Sequence, residues 1–252
     1  MKQLKKKLAN NLSRVQQEIA SACSRSGRVP SKVTLVVVTK SVGLEVIRAL
    51  IELGQLELGE SRPQALVKRA AMLEELSQRA KQAASSSQDK PKTSPAVRWH
   101  MVGHLQRNKV AMVLNCSRVI HSLDTLRLAE DIDTKAGKRN MSVDVLMEVN
   151  CSGESSKHGI IPAAVNHLAE QFATLQHLRL LGLMTMSPLA ENPEDSRLTF
   201  VRLRELMEDM HRERYVDKSC RDLSMGTTQD YTVAIEEGAT IVRVGRALFE
   251  GL

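Results

Sequence analysis

Eight short apolar segments, at 33–39, 56–59, 97–103, 119–123, 143–150, 178–186, 222–225 and 240–244, run along the 252 residues at nearly regular intervals. Each is rich in β-branched or aliphatic residues and too short for a core helix, so each reads as a strand. Between them, 43–54, 63–83, 107–114, 125–136, 162–175, 193–212 and 228–237 repeat their apolar residues with helical spacing, and several open on Pro or Thr. Strict alternation of this kind builds parallel sheet. Eight repeats in about 250 residues, with strands apolar on both faces, suit a closed (β/α)8 TIM barrel better than an open doubly wound sheet. Ahead of the first strand, Leu4, Leu8, Leu12, Val15 and Ile19 fall at three- and four-residue steps, which predicts an extra N-terminal helix laid on the body. The stretch 80–96, with three consecutive serines, Pro91 and Pro95, reads as a flexible surface insertion and not as a boundary. A single α/β domain over 1–252, with no second β domain, is therefore expected.

Composition removes several function classes. With 42% hydrophobic and 26% charged residues, the chain can bury a large core, unlike disordered or collagen-like sequences. No window approaches 18 uncharged apolar residues, and no apolar stretch follows the lysine-rich start, so neither a membrane span nor a secretory signal is expected and the cytoplasm is the default. Cys23, Cys116, Cys151 and Cys220 are scattered with no C-x-x-C pair, giving neither zinc spacing nor a disulfide framework. The net charge of +7 is partly a local cluster of Lys2, Lys5, Lys6 and Lys7 and is compatible with anionic ligands. Nucleic acid is not expected as a partner, because Trp99, two Tyr and three Phe leave almost no platform for stacking bases.

In a parallel barrel the chemistry gathers at the C-terminal ends of the strands. The first strand ends in Thr39-Lys40-Ser41, where desolvation would lower the lysine pKa and favour the neutral amine that forms Schiff bases. Taken alone, Lys40 reads more readily as a solvent-facing residue at a strand end, where lysines are common. The loops after the seventh and eighth strands are the usual phosphate site of this architecture. Ser224-Met225-Gly226-Thr227-Thr228 leads into a predicted helix, and Gly245 follows the eighth strand, so both offer backbone that an anion can approach; either glycine also fits a plain turn. A lysine facing a phosphate cradle implies a phosphorylated carbonyl compound, and pyridoxal 5′-phosphate (PLP) fits that description.

Seven strings carry a resemblance: 36–40 (VVVTK), 58–61 (LGES), 99–109 (WHMVGHLQRNK), 149–159 (VNCSGESSKHG), 182–185 (GLMT), 223–226 (LSMG) and 242–245 (VRVG). In that order, over nearly the whole chain, they resemble the YggS/PROSC family of PLP homeostasis proteins, whose barrel is of the alanine racemase N-terminal type (PLP fold type III). The resemblance implies a Schiff base on Lys40, phosphate contacts from Ser224 and from the backbone of Met225, Gly226 and Gly245, and Arg243 opposite the pyridine nitrogen. A guanidinium only donates, so the ring nitrogen would stay unprotonated and the ring would be a poor electron sink; a salt bridge in the barrel mouth is the plainer role for Arg243. The chain departs from the family at Ser61-Arg62, where Asn-Tyr is usual, and at Arg246, where a small residue often stands; Arg246 is thus a further candidate contact. The implied function is a PLP carrier that buffers or delivers the cofactor, with PLP-dependent apo-enzymes as partners and an exposed mouth that fits a monomer. The alternative is an amino-acid racemase of the alanine racemase type, which needs an acid/base on each face of its intermediate and has only Tyr215 and Tyr231 to offer. His100 and His104, four apart on a strand and its loop, do not align as ligands, and no carboxylate completes a set, so no metal site is expected.

Overall fold

A computed structural model describes residues 2–85, 96–154 and 157–252; most of the expected 80–96 insertion lies outside them. The β-branched runs form β1 (Thr34–Val38), β2 (Glu57–Glu60), β3 (Arg98–Met101), β4 (Ser117–Leu123), β5 (Val143–Glu148), β6 (Leu178–Met184), β7 (Asp222–Thr227) and β8 (Ile241–Val244). They pair in chain order, all parallel, and β8 closes on β1 through Thr34↔Ile241 to Val37↔Val244. The expected closed barrel is what the chain forms. β5 is buried at every position because helices cover its outer face and side chains fill the barrel on the other.

The intervening helices are α2 (Leu44–Glu52), α3 (Pro63–Ser85), α4 (Val110–Val113), α5 (Leu126–Gly137), α6 (Val165–Ala173), α7 (Arg197–Arg212), α8 (Tyr231–Glu236) and α9 (Arg246–Phe249). Local chemistry sets their starts. The Thr125 hydroxyl accepts from Leu128 N–H at 3.2 Å to cap α5, while Pro162 and Pro193 open 3-10 turns that precede α6 and α7. The expected helix at 107–114 likewise divides into a 3-10 turn at Arg107–Lys109 and the single turn of α4.

α8 and α9 are short, so the outside of β7, β8 and β1 would be thinly covered on their own. The first helix, α1 (Lys2–Arg25), fills the gap by packing on α2, α8 and α9. It buries Leu8, Leu12, Val15 and Ile19, each such side chain contributing roughly 1.5–3 kcal/mol relative to exposure. Asn11 Nδ2 donates to the carbonyls of Leu248 at 3.0 Å and Glu250 at 3.1 Å, and the Tyr231 phenol donates to Glu18. The main core lies between sheet and helices, and a smaller cluster of Val36, Val119, Leu146, Met184 and Ile241 fills the barrel interior. Gly182 is required by β6–β7 packing, since a Cβ there would stand 1.8 Å from the Asp222 carbonyl oxygen.

Candidate functional site

β1 delivers Lys40 to the C-terminal rim two residues after its last strand residue, Val38. The segment that carries it is pinned from the side. Glu60, fully buried at the end of β2, accepts from the Thr39 hydroxyl at 2.7 Å and from Arg69 of α3. The same guanidinium donates to the carbonyls of Thr39 and, at 2.8 Å, of Val42, so both ends of 39–42 are tied to one buried ion pair. Lys40 itself is exposed, so burial by the protein does not supply the desolvation that the apolar strand led one to expect.

The turns after β7 and β8 meet beside it. Gly226 has φ +90°, and a Cβ there would lie 2.6 Å from Ala234 Cβ, so only glycine fits. Gly245 comes so close to β1 that a Cβ would stand 3.0 Å from the Val38 carbonyl, and its N–H donates to the Thr228 hydroxyl at 3.2 Å. Lys40, Thr228 and Gly245 thus share one sector of the rim. The helix expected from residue 228 begins only at Tyr231 and has six residues. Asp230 is the cause: its carboxylate accepts from Thr227 N–H at 2.6 Å and from the Thr227 hydroxyl at 3.1 Å, holding that stretch in a tight turn. An anion here would meet backbone and threonine hydroxyls, with little help from a helix dipole. The Met225 side chain is buried in the core, leaving only its backbone near the rim, and the Arg246 side chain is exposed.

Arg243 of β8 is 4% exposed inside the mouth. Its Nη1 donates to the Ser224 carbonyl at 2.7 Å and hydroxyl at 2.6 Å, and its Nη2 to the Thr185 carbonyl at 2.9 Å and Met186 Sδ at 3.0 Å. Nε is the nitrogen left over. It is not a sealed orphan either, because among the described residues only Glu60 Oε2 and Asn166 Oδ1 are buried without a partner. Burial lowers the Arg243 pKa to about 10, against the opposing charges of Asp230 and Glu148, so the group is still a cation at neutral pH. Ser224, read from sequence as a phosphate contact, is fully buried with its hydroxyl engaged beneath the guanidinium. Glu148, at the end of β5, has its pKa raised to about 7, first by burial and then by repulsion from Asp124, with Arg243 pulling the other way.

Sequence reasoning missed the roles of Glu60, Arg69, Asp230 and Glu148, which arise from neighbouring loops of the ring and leave no local signature. It also missed that Asp124 joins His104 and His158 across three loops. His104 Nδ1 lies 3.1 Å from Asp124, and the two rings stack with centroids 4.3 Å apart and planes at 14°. The ligand atoms of the three lie within 4.8 Å of one another, so a carboxylate does join two histidines here, although not the pair that sequence spacing suggested. Lys157 donates to the Ser187 carbonyl at 3.0 Å, a loop-shaping contact. Tyr231 points away from the mouth to α1, and Tyr215 lies in the connection from α7 to β7, on the opposite rim.

Comparison with known proteins agrees with this geometry. Residues 6–252 match the family described as alanine racemase, N-terminal domain. A pyridoxal phosphate homeostasis protein of Aquifex aeolicus is 41% identical over 238 residues, covering 94% of this chain and 95% of that protein. One from Escherichia coli K12 is 31% identical over 242 residues, covering 96% and 95%. Among solved structures, PipY of Synechococcus elongatus with PLP bound superposes with a TM-score of 0.75 at 28% identity, covering 93% of this chain and 99% of PipY. A Clostridium difficile alanine racemase, 15% identical with a TM-score of 0.67, shares the fold over 56% of its own length. On this match and the rim that carries it, the chain belongs to the alanine racemase N-terminal domain family and, within it, to the pyridoxal phosphate homeostasis proteins.

Proposed function

We propose that the chain holds PLP reversibly at the barrel mouth and buffers or delivers it to PLP-dependent apo-enzymes in the cytoplasm, with little turnover of its own. When bound, PLP supplies an aldehyde on an electron-accepting pyridine ring. Lys40, exposed at the rim after β1, would supply the amine that holds the cofactor through its aldehyde. The Thr228 hydroxyl, which accepts from Gly245 N–H and keeps its own proton, and the backbone around Gly226 and Gly245 would receive the phosphate. Ser224 is reassigned from the phosphate to Arg243. The observation that carries the reading is Arg243 itself: both Nη atoms are committed to the protein, while Nε–H remains to donate to the ring nitrogen. A donor-only partner keeps that nitrogen unprotonated, which weakens the ring as an electron sink.

The racemase alternative finds no support in the tyrosines, since Tyr231 is engaged with Glu18 and Tyr215 lies at the far rim. The decisive experiment is an absorption spectrum of protein loaded with PLP, with and without borohydride. Wild type should show a protein-bound chromophore that reduction fixes covalently, and Lys40→Ala should lose the fixation. Protein that takes up no PLP would refute the proposal. Rapid exchange of the α-proton of L-alanine or L-serine into deuterated water by loaded protein would favour the racemase.

A further inference from the structure

A line of buried polar side chains crosses the barrel interior from one rim to the other. At the base, Glu57 opens β2, with Arg98, Asp144 and Arg179 around it in ion pairs at 4.0 Å (Arg98–Glu57), 3.1 Å (Arg98–Asp144) and 2.6 Å (Arg179–Asp144). Glu57 Oε2 lies 2.6 Å from His100 Nε2, His100 Nδ1 lies 2.8 Å from His121 Nε2, and His121 Nδ1 lies 2.8 Å from the Ser224 hydroxyl. Ser224 in turn touches Arg243 Nη1 at 2.6 Å. His100, His121, Ser224 and Arg243 are all 4% exposed or less.

The two ends fix the direction of every proton in between. A guanidinium can only donate, so the Ser224 oxygen accepts from Arg243 and its own proton goes to His121 Nδ1. His121 must then carry its proton on Nε2 and donate to His100 Nδ1. His100 carries its proton on Nε2 and donates to Glu57, an acceptor when ionised. Charging either imidazole would set two N–H groups against each other or leave the serine proton without an acceptor. Burial holds both histidines below their usual range, which keeps them neutral, while Arg98 and the His100 N–H keep Glu57 ionised against the cost of its own burial.

We infer that Glu57, His100, His121 and Ser224 are positioning residues: a one-way donor chain, anchored by a carboxylate at the base, that orients the Arg243 guanidinium for the ligand at the mouth. The inference rests on the PLP-binding reading and adds that the base of the barrel, four hydrogen bonds away, contributes to how firmly the ligand is held. Each bond polarises the next, so removing the anionic end weakens the link at Arg243 without touching the mouth.

The test separates the two claims. Long-range ¹H–¹⁵N correlation on the cofactor-free protein reads the tautomers directly, and both His100 and His121 should be protonated at Nε2. Finding His121 protonated at Nδ1 would overturn the chain whether or not PLP binds. On folded protein, verified by thermal unfolding, Glu57→Ala should weaken PLP binding by about 5- to 20-fold. Glu57→Gln, which keeps an acceptor and loses the charge, should recover only part of that loss. Unchanged affinity in Glu57→Ala, with an unchanged His121 signal, would overturn the inference; failure of wild type to bind PLP, with the tautomers as assigned, would overturn the binding reading alone.

Discussion

Glu148 gives the most direct measure of how the mouth is wired. It is 7% exposed at the end of β5, and its pKa is raised from 4.5 to about 7, first by burial and then by Asp124, with Arg243 opposing. A carboxyl that holds its proton more tightly in the folded than in the unfolded chain takes up protons on folding. Stability therefore falls as pH rises from about 4.5, and the loss is complete once pH passes the folded value near 7. A displacement of that size corresponds to roughly 3 kcal/mol. Glu148→Gln removes the ionisation at nearly constant volume. At pH 8 it should be more stable than wild type by about 2–3 kcal/mol, with the melting temperature raised by roughly 5–10 °C; at pH 4.5 the two should differ by less than about 0.5 kcal/mol. Urea unfolding of both proteins at pH 4.5, 6, 7 and 8 provides the assay. Other titrating groups cancel in the difference, so parallel pH profiles for the two proteins would refute the assignment of a buried, strongly perturbed carboxyl.

Arg69→Met should cost about 3–5 kcal/mol, because it strands the buried Glu60 carboxylate, and adding Glu60→Gln should recover part of that in denaturant melts. Gly226→Ala forces a Cβ into Ala234 and Tyr231 at φ +90°, so it should lower stability by about 2–4 kcal/mol and reduce PLP uptake in a titration. Tyr231→Phe should lose only about 0.5–1.5 kcal/mol, since its partner Glu18 is exposed, and leave PLP affinity unchanged; a change in affinity would place Tyr231 in the site after all.

The barrel was legible in the sequence because each strand is a short apolar run ended by turn residues, and the observed strands overlap all eight expected segments. The misplaced boundaries have local causes that periodicity does not register. Asp230 holds the Thr227 N–H so that 228–230 turn before α8 begins, and the register continues β7 through Gly226 to Thr227. The rim positions of Lys40 and Gly245 follow from the strand count, whereas Arg243 was singled out only by the family resemblance. Ser224 was placed on the correct strand, yet its hydroxyl faces inward to Arg243 and His121. His100 and His121 looked unremarkable for the same reason: their partners come from β2, β3, β4, β7 and β8 and are brought together by stagger around the ring, which no spacing along the chain reveals.

The seating of α1 on α8 and α9 joins helices that lie far apart along the sequence. Asn11 meets the carbonyls of Leu248 and Glu250 across separations of 237 and 239 residues. Until α8 and α9 are in place, the apolar stripe of that helix has only part of its seat, on α2. Final closure then depends on contacts between the most distant parts of the polypeptide, which makes assembly of the ring slow and makes it a late, all-or-nothing event.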